Sequence, residues 1–143
     1  DVACHAAKTH GRNRIHVYHP GDAELIRRHG DIYMVPSISH AISEDRFLLI
    51  AQPIIPIAPG KSTPPHFEIL VRMLGDDGNV VMPDRFLPAA ERYNLMPALD
   101  RWVVEETLRY LDRHPEFLDA LAFCTINLSG LSFKQSFAND ILT

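Results

Sequence analysis

The run RFLLIAQ at residues 46–52 is almost continuously apolar, and it constrains the fold more than any other part of the chain. A strand covered on one face alternates apolar with polar residues. A nearly unbroken apolar run bounded by turn chemistry is expected of a strand covered on both faces, as in a parallel sheet. Two further runs read as strands, HFEILVRM at 66–73 and LAFCTIN at 121–127. Between the first two lies PIIPIAPGKSTPP, assigned to a loop because its prolines cannot donate within a central strand. Residues 75–79 carry turn chemistry, and 83–93 read as a short helix. Residues 97–113 read as the best helix of the chain. Leu99, Val103, Tyr110 and Leu111 form its apolar arc, while Arg101, Glu105 and Arg109 stack at i,i+4 toward solvent. His114 and Pro115 end it. Buried strands alternating with amphipathic helices predict an α/β fold with a parallel sheet.

The flanks are less patterned. Residues 2–9 are Ala-rich and stop at Gly11, as a capped helix does, and 14–18 alternate like a strand that Pro20 and Gly21 interrupt. A polar, mixed stretch follows to about residue 35. Residues 36–44 suit a short helix with Pro36 in its first turn. Residues 136–142 begin another helix. The chain opens at Asp1 with no initiator Met, inside helical sequence, so it is expected to be a piece of a longer protein.

Charge and cysteine content remove several function classes. A formal net charge of −4 gives no broad basic surface of the kind that grips a nucleic-acid backbone, although one or two arginines suffice for a small anionic nucleotide. Cys4 and Cys124 lie far apart in apolar segments and read as reduced, buried thiols. The eight histidines include no zinc-helix pattern. No apolar run is long enough to cross a membrane, and no part of the sequence is expected to be a signal peptide.

The chemistry concentrates on the second run. Alternation places Glu68, Leu70 and Arg72 on one face and Phe67, Ile69 and Val71 on the other. A carboxylate and a guanidinium on an apolar strand are costly unless they have partners or work. Two readings stay open here: a Glu–Arg pair that satisfies itself, or a metal-binding carboxylate beside a phosphate-gripping arginine. Asn127, at the end of the third run, is either a turn cap or a ligand. If the second and third runs are parallel neighbours, Glu68 and Asn127 lie near one edge of the sheet, and in parallel barrels the carboxyl-terminal edge carries the active site. Oxygen donors from Glu and Asn suit Mg²⁺, Mn²⁺ or Ca²⁺ rather than zinc. Gln52 points to the same edge, as a loop anchor or a ligand contact. His66 shares the face of Glu68 and reads as a hydrogen-bonded floor residue or its partner. Glu91 and Arg92 read as a solvated helix end.

Five ordered segments, RFLLIAQPI, FEILVRM, PDRFLPAAERYNLM, LDRWVVEETL and INLSG, resemble the opening motifs of EAL domains from about residue 44 to the end. The name-giving triplet reads Glu68-Ile69-Leu70, with Ile in place of the usual Ala on the opposite face of the strand. Residues 1–8 followed by Gly11-Arg12-Asn13-Arg14 resemble the tail of a GGDEF, or diguanylate cyclase, domain. The resemblance implies three regions: the end of a GGDEF domain at 1–19, a linker with a short helix at 20–45, and the N-terminal portion of an EAL domain at 46–143. It implies a truncated TIM-type (β/α)8 barrel that hydrolyses cyclic-di-GMP to linear pGpG with Mg²⁺ or Mn²⁺. By matching motif, Glu68 and Asn127 become metal ligands, Arg72 a substrate-phosphate contact, and Gln52 and Leu70 borders of the nucleotide. The remaining ligands, the catalytic lysine and the general-base glutamate are expected beyond Thr143. The chain alone is therefore expected to be inactive, to self-associate, and to function on the cytoplasmic side. The alternative is a degenerate EAL domain that binds cyclic-di-GMP without cutting it. A scaffold role with neither activity fits poorly with the presence of Arg72 and Gln52.

Overall fold

The computed structural model describes residues 23–57 and 64–132, with side chains from residue 30 onward. The readings made for residues 1–19, for Cys4 and for the helix at 136–142 lie outside the described residues. The element order is α1 (Ala23–Ser43), β1 (Phe47–Ile54), β2 (His66–Leu74), β3 (Val80–Val81), α2 (Pro83–Arg92), α3 (Met96–Arg113), α4 (Pro115–Ala120) and β4 (Phe123–Ile126). None of the described helices is long and apolar enough to cross a membrane.

β2 is the hub of a mixed sheet. β1 runs antiparallel along one edge of it, from Phe47 opposite Met73 to Ile54 opposite His66. The other edge is shared, with β4 parallel along His66 to Ile69 and β3 antiparallel at Met73 and Leu74. The parallel sheet expected from the apolar runs therefore holds for β2 and β4 but not for β1 and β2. The connection explains the difference. Residues 55–65 contain no described helix, and a parallel return needs a longer crossover, normally helical.

β1 also departs from its reading in two ways. It is not covered on both faces, because Leu48 and Ile50 are 37% and 44% exposed. It also includes Pro53 and Ile54, which were assigned to loop. Among the described residues β1 pairs only with β2, so it is an edge strand, where a proline leaves no ladder donor missing.

The register separates two faces. Phe47 and Leu49 of β1, Ile69, Val71 and Met73 of β2, and Ile126 of β4 turn to the helices. There they join Ile38 and Ala41 of α1, Phe86, Ala89 and Ala90 of α2, and Met96, Leu99 and Val103 of α3. Phe47 lies edge-on to Phe86 at 5.8 Å and beside Trp102 at 5.4 Å, arrangements aromatic quadrupoles favour. The Trp102 indole N–H donates to Asp45 at 2.8 Å, which satisfies its polar end. The opposite face, carrying Leu48, Ile50 and Gln52 of β1 and Phe123 and Thr125 of β4, is open.

The helices start where the sequence places them. Pro83 and Pro97 stand in the first turns of α2 and α3, where a missing N–H costs nothing. α1 is the exception. The short helix expected at 36–44 is the last part of a helix that begins at Ala23 and carries Pro36 inside it. An interior proline costs about 3 kcal/mol of helix propensity. Burial of Ile38 and Ala41, both at 0% exposure, offsets that cost. The arc assigned to α3 is corrected at one position: Tyr110 is 47% exposed and packs on His114 and Phe117 instead of the core. The turn at 75–79 forms as expected. Gly78 adopts φ +76°, and Asp77 accepts from the Asn79 backbone and side chain, which holds its carboxyl below the ordinary value. Cys124 is a half-buried free thiol whose ionisation burial pushes upward, as a structural rather than a reactive cysteine requires.

Candidate active site

Glu68, Leu70 and Arg72 alternate along β2 onto the open face, and the flanking strands bring the other candidates to them. Gln52 of β1 stands directly opposite Glu68, Ile50 opposite Leu70, and Leu48 opposite Arg72. On the other side Thr125 of β4 is the partner of Glu68. Asn127 follows the last residue of β4, and its Nδ2 donates to Glu68 Oε1 at 2.6 Å. All five residues singled out in the sequence thus occupy one face of three adjoining strands.

The way they meet differs from the expectation. Glu68 is the third residue of β2, not a residue of its carboxyl-terminal end. It meets Asn127 because β4 is short and stops opposite Ile69. Gln52 reaches Glu68 because β1 runs antiparallel, which sets the end of β1 beside the start of β2. Nor do Glu68 and Arg72 form the self-satisfying pair left open above. Among the described residues Arg72 makes no ion pair; its Nη1 donates to the Val71 carbonyl at 2.9 Å, leaving most of the guanidinium fork uncommitted. His66 stacks on Phe123 at 4.1 Å, as a floor residue.

Leu70, Arg72 and Asn127 also line a cavity of about 260 Å³ whose far wall is formed by Leu87 and Glu91 of α2 and Leu99 and Asp100 of α3. That is somewhat below the ~300–1,000 Å³ of whole small-molecule pockets, so it has room for only part of a small molecule. Glu91 and Arg92 are both exposed, as a solvated helix end is, and Arg92 in addition forms an ion pair with the buried Asp31 of α1.

One participant was missed in the sequence. Asp100 is 3% exposed, and its Oδ2 accepts from the Ser129 backbone N–H at 2.7 Å and from the buried Ser132 hydroxyl. The carboxylate therefore ties the first turns of α3 to the loop that leaves β4 directly after Asn127. Its signal was available: Asp100 sits on the buried arc of α3 with Met96, Leu99, Val103 and Thr107, where a lone carboxylate requires a partner.

A cation between Glu68 and Asn127 would find two hard oxygen donors, the Glu68 carboxylate and, after a turn of the amide, Asn127 Oδ1. This donor chemistry fits Mg²⁺ or Mn²⁺. Among the described residues no group of three His, Cys, Asp or Glu side chains is placed to hold a metal, so the pair is a partial ligand set.

The model of the EAL domain family matches residues 36–143. The chain belongs to the EAL domain family. It is 35% identical over 132 residues to cyclic di-GMP phosphodiesterase PdeB of Shewanella oneidensis, covering 92% of this chain and 15% of that protein. It is 34% identical over 105 residues to cyclic di-GMP phosphodiesterase PdeF of Escherichia coli, covering 73% of this chain and 13% of that one. The chain therefore spans about one seventh of the length of these relatives. Among solved structures, the EAL domain of FimX from Pseudomonas aeruginosa bound to c-di-GMP aligns with a TM-score of 0.56 and 29% identity, over 67% of this chain and 36% of that one. The family match covers the strands and helices that carry every candidate site residue.

Proposed function

We propose that this EAL segment forms part of a metal-dependent phosphodiesterase that hydrolyses cyclic-di-GMP to linear pGpG within a TIM-type barrel. The observation that carries the reading is the contact of Glu68 with Asn127 across β2 and β4, on the same face as an arginine that, among the described residues, pairs with no carboxylate. The names of the relatives and the c-di-GMP of the FimX structure supply the substrate class. In this reading Glu68 and Asn127 hold Mg²⁺ or Mn²⁺, which when bound supplies an acidified water and neutralises charge on the phosphate. Arg72 offers a planar fork matched to phosphate oxygens. Leu70 and Gln52 flank the nucleotide, and the cavity beside Arg72 takes one end of it. Two donors fall short of the roughly six oxygens an octahedral cation needs. Turnover therefore depends on ligands contributed by the rest of an EAL domain, and this segment alone is inactive.

The test is incubation of cyclic-di-GMP and Mg²⁺ or Mn²⁺ with a protein that carries this segment in a complete EAL domain, with pGpG as readout. Product formation supports the proposal. Tight nucleotide binding without product instead moves the domain to the receptor class. Arg72→Ala should weaken nucleotide binding about 10- to 100-fold, the loss of a charge-assisted contact worth ~1.5–3 kcal/mol. Undiminished affinity in that variant, measured by titration calorimetry, would remove the phosphate contact from the scheme.

A further inference from the structure

We infer that the Asp31–Arg92 ion pair is a clasp that couples the helical segment preceding the EAL domain to the candidate site, an inference that rests on the phosphodiesterase reading for the ligand it names. Asp31 lies in α1, five residues before the family match begins at residue 36. Its carboxylate is buried, at 8% residue exposure, and its partner Arg92 lies 61 positions away in the last turn of α2. A buried carboxylate tolerates only a conformation that keeps its cation, so α1 and α2 hold each other in one relative position.

α2 transmits that position to the site. It has only ten residues and buries Phe86, Ala89 and Ala90 in the core, so it moves as one packed body. The residue beside Arg92 is Glu91, which with Leu87 forms the cavity wall facing Arg72 and Asn127. The physical path is short: α1 to Asp31, Asp31 to Arg92, Arg92 to the helix whose other side meets the ligand. Displacement of residues 23–35 by whatever precedes them would either keep the clasp and the wall in place or break the clasp and release the wall. Linkage makes the effect reciprocal, so ligand in the cavity stabilises the clasped α1 by the same factor that the clasp adds to ligand affinity.

The test compares Arg92→Gln with the charge-swapped double variant Asp31→Arg/Arg92→Asp, each in the full-length protein. Cyclic-di-GMP affinity and hydrogen exchange in residues 23–35 and 83–92 are the readouts. Arg92→Gln is expected to weaken affinity about tenfold, within the usual range of site-to-site coupling, and to speed exchange in both segments. The swap restores both. Bound nucleotide should slow exchange in residues 23–35 of the wild type but not of Arg92→Gln. Faster exchange in α1 alone, with affinity and α2 unchanged, would overturn the clasp and leave a purely local helix tie. If the wild type binds no cyclic-di-GMP, the phosphodiesterase reading fails. Exchange in α2 then decides the clasp, and an unchanged rate at 83–92 overturns it.

Discussion

Glu68→Ala, placed in a protein with a complete EAL domain, is expected to lower pGpG production about a hundredfold or more at saturating cyclic-di-GMP. The estimate follows from the several kcal/mol a catalytic cation contributes to the transition state, at 1.36 kcal/mol per tenfold in rate. Glu68 is the only carboxylate among the described residues on the open face of β2, and it already holds Asn127. On the proposed reading its loss removes a cation ligand and also the group that orients the second one. The defect should fall on kcat and on the metal concentration required, while nucleotide affinity, which the proposal assigns to the Arg72 side, stays within a few fold. Glu68→Gln keeps the shape and the contact with Asn127 but not the charge, so it should be nearly as slow. A Glu68→Ala protein that keeps a third of its turnover would sink the assignment of this carboxylate to the cation.

The second large effect concerns stability. Asp100→Ala is expected to destabilise the region around β4 by about 2–4 kcal/mol, since each buried donor left without an acceptor costs ~1–3 kcal/mol. The two donors are the Ser129 N–H and the Ser132 hydroxyl, and Ser132 is itself 2% exposed. Hydrogen exchange at residues 127–132 should accelerate selectively, with that of Met73 and Phe86 little changed. Both donors converge on one oxygen, so Asp100→Asn, with its amide oxygen in that place, keeps both contacts without the charge and should lose roughly half as much. Exchange rates at Ser129 indistinguishable from wild type in the Ala variant would show that the latch does not hold the loop.

What could be read in advance follows from how local each signal is. β2 was legible because its alternation is carried by its own residues, and with it the common face of Glu68, Leu70 and Arg72. α2 and α3 announced themselves through Pro83, Pro97 and an apolar arc. The direction of β1 was not legible from its apolar run, since burial pattern carries no polarity; the short, proline-rich connection at 55–65 was the relevant signal. α1 was mistaken for a short helix because Pro36 reads as a start, whereas packing of Ile38 and Ala41 sustains the helix through it. The site was half legible. Same-strand placement came from spacing, but Asp100 to Ser129 and Asp31 to Arg92 join residues 29 and 61 positions apart, and no local pattern encodes such pairs.

The unequal sequence separation of the partners of β2 also orders assembly. β1 and β2 form a hairpin across residues 55–65, whereas β4 reaches β2 only by bringing Phe123 back to His66. Chain-closure entropy makes the second pairing harder by about 1 kcal/mol, since the cost grows as the logarithm of loop length. The hairpin therefore forms early and β4 docks late. Trimming Ile126 to Val should chiefly speed unfolding, and trimming Leu49 to Ala should chiefly slow folding. Equal partition of both effects between the two rates would contradict that order. Gln52 and Glu68 meet in the first event and Asn127 arrives in the last, so a nascent chain completes the pair proposed to bind the cation only when the sheet is finished.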